Sequence, residues 1–130
     1  MTILVDSDIL IEVSRGKNAP VISKWIDLSN SDAVILYSPI SVAELWAGAR
    51  PKEHDALAKL FRALKSTPID EETGHRAGRY LQQYRRSHGV EIADALIAAS
   101  AVENRAELWT RNHKHYPMQE LSFFDSSGSL

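Results

Sequence analysis

The sequence predicts an α/β domain, a parallel sheet of about four to five strands flanked by helices. Three observations carry this. Short, branched, continuous apolar runs such as Ile3-Leu4-Val5 and Ala33-Val34-Ile35-Leu36-Tyr37 suit strands buried on both faces of a parallel sheet. Stretches of helical periodicity alternate with them. Capping and turn residues stand at most of the switches between the two patterns.

The elements follow in chain order. Ser7 and Asp8 precede Ile9-Leu10-Ile11, so a first helix should run from Ser7 to about Arg15 and stop at Gly16. Pro20 opens a second helix, with Val21, Ile22, Trp25, Ile26 and Leu28 at helical spacing. Asn30-Ser31-Asp32 breaks it before the strand at 33–37. Ser38 or Pro39 then starts a helix that ends near Gly48 to Pro51. Lys52 to Lys65 is amphipathic, with Leu57, Leu60, Phe61 and Leu64 on one face. Thr67-Pro68-Ile69-Asp70 reads as a short strand or extended connection, because a residue before proline leans away from helix. Glu71 to His88 is a long polar helix with acids in its first turn and Gly89 as its stop. Glu91 to about Arg105 is an alanine-rich apolar helix, and Glu107 to Thr110 a short strand. Residues 112–119 read as irregular or one helical turn, Leu121 to Phe124 as a last edge strand, and 125–130 as a mobile polar tail.

Composition bounds the class. The 130 residues suit one domain with one core. With 44% hydrophobic and 25% charged residues, the chain is globular, not disordered. It has no cysteine, which excludes disulfides and thiolate sites and fits a reducing cytoplasm. No apolar run is long enough for a bilayer, and no basic region leads into an apolar block, so neither a membrane span nor a signal peptide is expected. The net charge of −2 lacks the strong positive balance of many nucleic-acid binders, although acids gathered in one pocket would leave the remaining surface more basic.

Three acids stand out. Asp6 ends the first strand and opens a strand-to-helix loop, where it either stands in the place at which open α/β sheets bind ligands or, with Asp8, only caps the helix. Glu44 is set in Ile40-Ser-Val-Ala-Glu-Leu-Trp-Ala-Gly48, and Asp94 in Ile92-Ala-Asp-Ala-Leu-Ile-Ala-Ala99. Helices apolar around most of their circumference are largely buried, and acids are rarely buried without a partner. No Lys or Arg lies three or four positions from Glu44 or Asp94. Either distant basic residues fold over each acid, or the three converge on a divalent cation. An all-oxygen set suits Mg²⁺ or Mn²⁺, and Mg²⁺ in such sites recruits phosphates, which points to phosphoryl chemistry.

These residues also carry a resemblance. Leu4-Val-Asp-Ser-Asp-Ile-Leu-Ile11, the segments 40–48 and 92–99, and Leu108-Trp-Thr-Arg-Asn-His-Lys-His-Tyr116 stand in one order over Ile3 to Phe124. Together they resemble the PIN-domain nucleases, and within them the VapC-like toxins of bacterial toxin–antitoxin pairs. The resemblance implies a PIN-like domain over 1–124, cleavage of single-stranded RNA, and Mg²⁺ or Mn²⁺ held by Asp6, Glu44 and Asp94. Thr110 and Asn112 would orient acids or water. The fourth acid of many members falls at His115, a departure that puts a fixed second metal in doubt; His115 is then a weak ligand, a phosphate contact or a solvated side chain. Asp8 is either a supporting ligand or only a helix cap.

Arg111 and Lys114, beside the last motif, are expected to contact RNA, and Arg76, Arg79, Gln83 and Arg86 with Tyr80 and Tyr84 interleaved form either a second RNA-binding stripe or a solvated helix face. The resemblance further implies a cognate antitoxin, homodimerisation and a toxin–antitoxin hetero-oligomer. Trp25, Trp46, Leu57 and Phe61 are candidates for an apolar groove or for core. Two rivals remain: a haloacid-dehalogenase-like phosphatase, suggested by Val5-Asp-Ser-Asp8, and a catalytically inactive PIN-like module that binds RNA or protein.

Overall fold

The computed structural model describes residues 1–127. Its elements run β1 (Thr2–Val5), α1 (Ser7–Arg15), α2 (Ala19–Ser29), β2 (Val34–Tyr37), α3 (Pro39–Ala47), α4 (His54–Ala63), β3 (Lys65–Ser66), α5 (Glu71–His88), α6 (Ile92–Glu103) and β4 (Glu107–Trp109). Short 3₁₀ turns at Pro51–Glu53 and His113–His115 complete the chain. The four strands form one parallel sheet in the order β3-β2-β1-β4. The expected α/β architecture is thus present, with β1 inside the sheet and both its neighbours reached by helical crossovers.

Strand periodicity divides the core. Ile3 and Val5 point to one face, where they pack with Ile9, Leu10, Leu28, Leu57 and Phe61 from α1, α2 and α4. Leu4 points to the other, packing with Leu36, Leu108, Ile97 and the alanines of α6 under α5. All three β1 residues are fully buried, which accounts for their unbroken apolar run. Small side chains on α6 bring it against the sheet while α5 covers it from outside. Trp25 stacks near Trp109, and Leu57 and Phe61 are core, so of the four groove candidates only Trp46 is exposed.

The structure corrects several boundaries. The helix expected over 52–65 is a 3₁₀ turn at Pro51 followed by α4, which ends at Ala63 because Leu64 turns extended and feeds β3. The strand expected at 67–70 lies two residues earlier, at Lys65–Ser66; Thr67 still donates to the Tyr37 carbonyl, but Pro68 has no N–H to continue the ladder. The edge strand expected at Leu121–Phe124 reduces to one parallel bridge between Leu108 and Phe123, since β4 is only three residues long. The tail expected over 125–130 lies in part, at 128–130, outside the described residues.

Helix ends follow local chemistry. Gly89 stops α5 in the left-handed region at φ 64°, which glycine adopts at no steric cost. After α6 the same position is filled by Arg105 at φ 52°, with Ala106 donating to the Ala101 carbonyl across the turn. A side chain there costs about 1 kcal/mol. Arg105→Gly is therefore expected to raise stability by about 0.5–1 kcal/mol, read from the urea midpoint at unchanged m.

Candidate active site

Asp6 follows β1 directly and is buried. Its amide donates to the Trp109 carbonyl, continuing the β1–β4 ladder and fixing the carboxylate at the carboxyl end of the sheet. Three donors hold that carboxylate. Ser7 N–H reaches Oδ1 at 2.8 Å, while Thr110 Oγ1 and the Tyr116 hydroxyl reach Oδ2 at 2.9 and 2.8 Å. The Asn112 amide in turn donates to Thr110 Oγ1 at 3.0 Å, so Thr110 relays the loop's position to Asp6.

Around Asp6 lies a polar pocket of about 330 Å³. Asp8, Glu44, Glu91 and Asp94 line it with Asp6, and Asn112, His115 and Tyr116 close one side. Each carboxylate comes from a different position in the fold. Asp8 is in the first turn of α1, Glu44 on α3, Asp94 in the first turn of α6 and Glu91 at its N-cap. The three acids singled out from sequence therefore share one pocket, 38 and 50 residues apart in the chain.

Their surroundings differ from the sequence expectation. Glu44 is exposed, not buried: α3 packs through Ser41 and Leu45, with Ile40 and Val42 half-buried, and Ala43, Trp46 and Ala47 beside it face solvent. A 2.7 Å hydrogen bond from Ser7 Oγ, itself linked to Ser41 Oγ, turns Glu44 into the pocket. Asp94 is half-buried, and its Oδ2 accepts from the Glu91 amide at 3.1 Å in a reciprocal capping box. Among the described residues no three acids or histidines are drawn together tightly enough to enclose an ion unaided. The carboxylates line the pocket and do not meet at a point.

The electrostatics record the crowding. Burial, and then the Asp6 charge, push the Asp8 carboxyl above its ordinary value. Burial likewise raises Asp94, with Asp6 adding to it; the Glu91 amide and His115 pull the other way. Burial beside Asp6 drives the Tyr116 hydroxyl far above the usual phenol range, so it stays a donor. Asp8 Oδ2 accepts from the Arg111 amide at 2.9 Å, with the Arg111 guanidinium 3.8 Å away, yet Asp8 Oδ1 is buried with no hydrogen-bond partner.

Of the expected RNA contacts, Lys114 is exposed on the loop, whereas Arg111 is already shared between Asp8 and Glu12. In the stripe on α5, Arg76 is committed to Glu103 and Glu120, and Tyr80 is buried with its hydroxyl on Glu120. Sequence reasoning gave Ser7 no role in the site beyond capping a helix, and Tyr116 and Glu91 none. Ser7 reads as a cap and Tyr116 as an aromatic among polar residues; only the cap box Glu91-x-x-Asp94 leaves a visible trace. Tyr116→Phe removes one of the three donors on Asp6. It is expected to lower any activity of this pocket about 10–100-fold, and stability by about 1–2 kcal/mol, as read from turnover and urea melts.

Comparison with known proteins agrees with this geometry. A family model described as PIN domain matches residues 3–121. Ribonuclease VapC10 of Mycobacterium tuberculosis is 38% identical over 119 residues, spanning 91% of this chain and 88% of that protein. Ribonuclease VapC19 of the same organism is 36% identical over 116 residues, 88% of this chain and 92% of that one. The solved structure of VapBC2 from Rickettsia felis, bound to a promoter DNA fragment, superposes with a TM-score of 0.79 at 21% identity, covering 95% of this chain and 98% of that one, a likeness of fold. The family match leaves the dehalogenase-like reading without support. With its motifs in order over nearly its whole length, the chain belongs to the PIN domain family.

Proposed function

We propose that this chain is a metal-dependent endoribonuclease, the toxin of a toxin–antitoxin pair, neutralised by a cognate antitoxin. The observation that carries the reading is the pocket, in which five carboxylates gather at the carboxyl end of a PIN-domain sheet without a lysine or arginine among its lining residues. The kinship with proteins named ribonucleases VapC10 and VapC19, along most of both chains, adds the substrate class.

The donor set suits a hard divalent cation, Mg²⁺ or Mn²⁺. It is all oxygen apart from His115, and the unpartnered Asp8 Oδ1 offers a lone pair with nothing to satisfy it. Asp6 and Asp94 would hold the ion, with Glu44 completing the shell directly or through water. Such an ion supplies Lewis acidity that neutralises phosphate charge and acidifies water. The chain's own groups prepare the rest. Thr110, Tyr116 and the Ser7 amide hold Asp6 in a fixed orientation. Ser7 fixes Glu44, where its carboxylate can take a proton from attacking water. Asn112 lines the pocket from the loop after β4, and the exposed Lys114 on the same loop is free to meet a phosphate. The leaving 3′ or 5′ oxygen must recover a proton, which solvent at this open mouth provides.

An apolar groove of about 560 Å³ runs between α2, α4 and β2, lined by Trp25, Leu28, Ile35, Leu60 and Leu64. It offers a surface for an antitoxin segment. One solved neighbour of the same fold is described as a toxin–antitoxin complex from Klebsiella pneumoniae, and homodimerisation within a hetero-oligomer belongs to the same proposal. Among the described residues no helix is long and apolar enough to cross a membrane, and cytoplasmic action follows from the substrate. The test incubates the purified chain with structured RNA in Mn²⁺ or Mg²⁺ and in EDTA. Internal cuts made only with the metal support the proposal. RNA binding without cuts under either metal would identify an inactive binding module instead.

A further inference from the structure

The acidic pocket poses a problem for any RNA that enters it, because phosphates flanking the scissile bond meet carboxylates. A second pocket answers it. At the C-terminal end of α1 lies a cavity of about 430 Å³, lined by Arg15, Lys17, Arg50 and Lys52 with Glu12 and Glu53. Both of its acids are already engaged. Glu53 pairs with Arg15 at 3.5 Å and accepts from the Arg50 amide at 3.0 Å, and Glu12 lies 3.6 Å from the Arg111 guanidinium. Lys17 and Lys52 have no ion pair among the described residues. The cavity therefore carries surplus positive charge held in a concave surface, where field lines concentrate.

The two pockets are joined. Asp8, Glu12 and Arg15 share one face of α1, at spacings of four and three residues, so the path from acid pocket to basic pocket is about 10 Å. Arg111 bridges it, donating to the Asp8 carbonyl at 3.2 Å while facing the Asp8 and Glu12 carboxylates. The stripe on α5 is a poorer alternative, because Arg76 is spent on Glu103 and Glu120.

Resting on the ribonuclease reading, we propose that this basic pocket is a phosphate-backbone subsite for single-stranded RNA, holding the strand a few nucleotides from the bond in the acidic pocket. Lys17 and Lys52 contact phosphates as free point charges. Arg50 and Arg15 shape the pocket. No bond is made or broken there.

The test uses the full chain carrying Asp94→Asn, so that the RNA stays intact, and a labelled single strand of about 12 nucleotides. Adding Lys17→Ala with Lys52→Ala is expected to weaken binding about tenfold at low salt and to flatten the slope of log K against log salt by about 1.4, two phosphate contacts' worth. Lys59→Ala with Arg62→Ala, equal in charge but outside the pocket, should leave both unchanged. Thermal melts of the variants establish that they are folded. Wild-type affinity and slope in the folded Lys17/Lys52 variant would overturn the subsite. So would loss of binding to a polyglutamate peptide with RNA binding intact, which would mark the pocket as a dock for an acidic protein segment. The two readings fail separately. If the unsubstituted chain cuts no RNA but the slope still falls, the subsite stands without the cleavage; if it cuts and the slope holds, the reverse is true.

Discussion

Asp94→Asn is expected to lower RNA cleavage on the order of 10³-fold while making the metal-free chain more stable at neutral pH. The activity loss follows from removing one of the two carboxylates assigned to the ion. The stability gain follows from the pocket itself. Burial and the nearby Asp6 charge raise the Asp94 carboxyl above its ordinary value of 3.8. A carboxyl that binds its proton more tightly folded than unfolded opposes folding once deprotonated. Its penalty is absent below the unfolded value, grows as pH rises toward the raised folded value, and is complete above it. Asparagine removes the charge but keeps an oxygen for the Glu91 amide, so the cap of α6 survives. Melting temperatures in EDTA should place the variant above the unsubstituted chain at pH 7, with the gap closing below about pH 4. Wild-type cleavage would remove Asp94 from the chemistry. A lower melting temperature at neutral pH would make it a purely structural cap.

The gain from a disabling substitution is intelligible only if the pocket is strained by its function, and that strain is what the sequence displayed. Ile3-Leu4-Val5, Ile9-Leu10 and the alanines of α6 gave away the layers because burial on both sheet faces forces an unbroken apolar pattern. Asp6 and Asp94 were legible as acids breaking that pattern. Glu44 was found on a mistaken premise: its helix reads as apolar all round, yet half of it faces solvent, since a chain cannot cover every apolar side chain. What sequence could not display is contact between distant polar residues. Tyr116 bonds Asp6 across 110 positions, and Ser7 reaches Glu44 across 37. Serine and tyrosine carry no anomaly in a local pattern, so no local rule points to them. The basic pocket was hidden for the same reason, being built from α1 and the Pro51 turn, whose charges look like ordinary solvated surface until they are folded together.

Binding of Mn²⁺ should stabilise the chain by an amount that grows with pH, the opposite of the metal-free trend. Protons and the ion compete for the same carboxylates, so affinity rises as Asp8 and Asp94 deprotonate, and their raised values extend the competition above the usual carboxylate range. At an ion concentration near 100 times the dissociation constant the gain is about 2.7 kcal/mol, on the order of 10 °C in melting temperature for a domain of this size. In the metal-free state these two acids make the fold less stable as pH rises; with Mn²⁺ bound, the same charges are what the ion holds. Melts at several pH values, with Mn²⁺ and with EDTA, separate the two regimes. The shift should shrink markedly in Asp94→Asn and persist in Lys59→Ala, which lies outside the pocket. A shift equal in both variants would place the ion elsewhere on the surface. No shift at all, in a chain that nevertheless cuts RNA, would mean that the five acids need the RNA phosphate itself to complete the ion's shell.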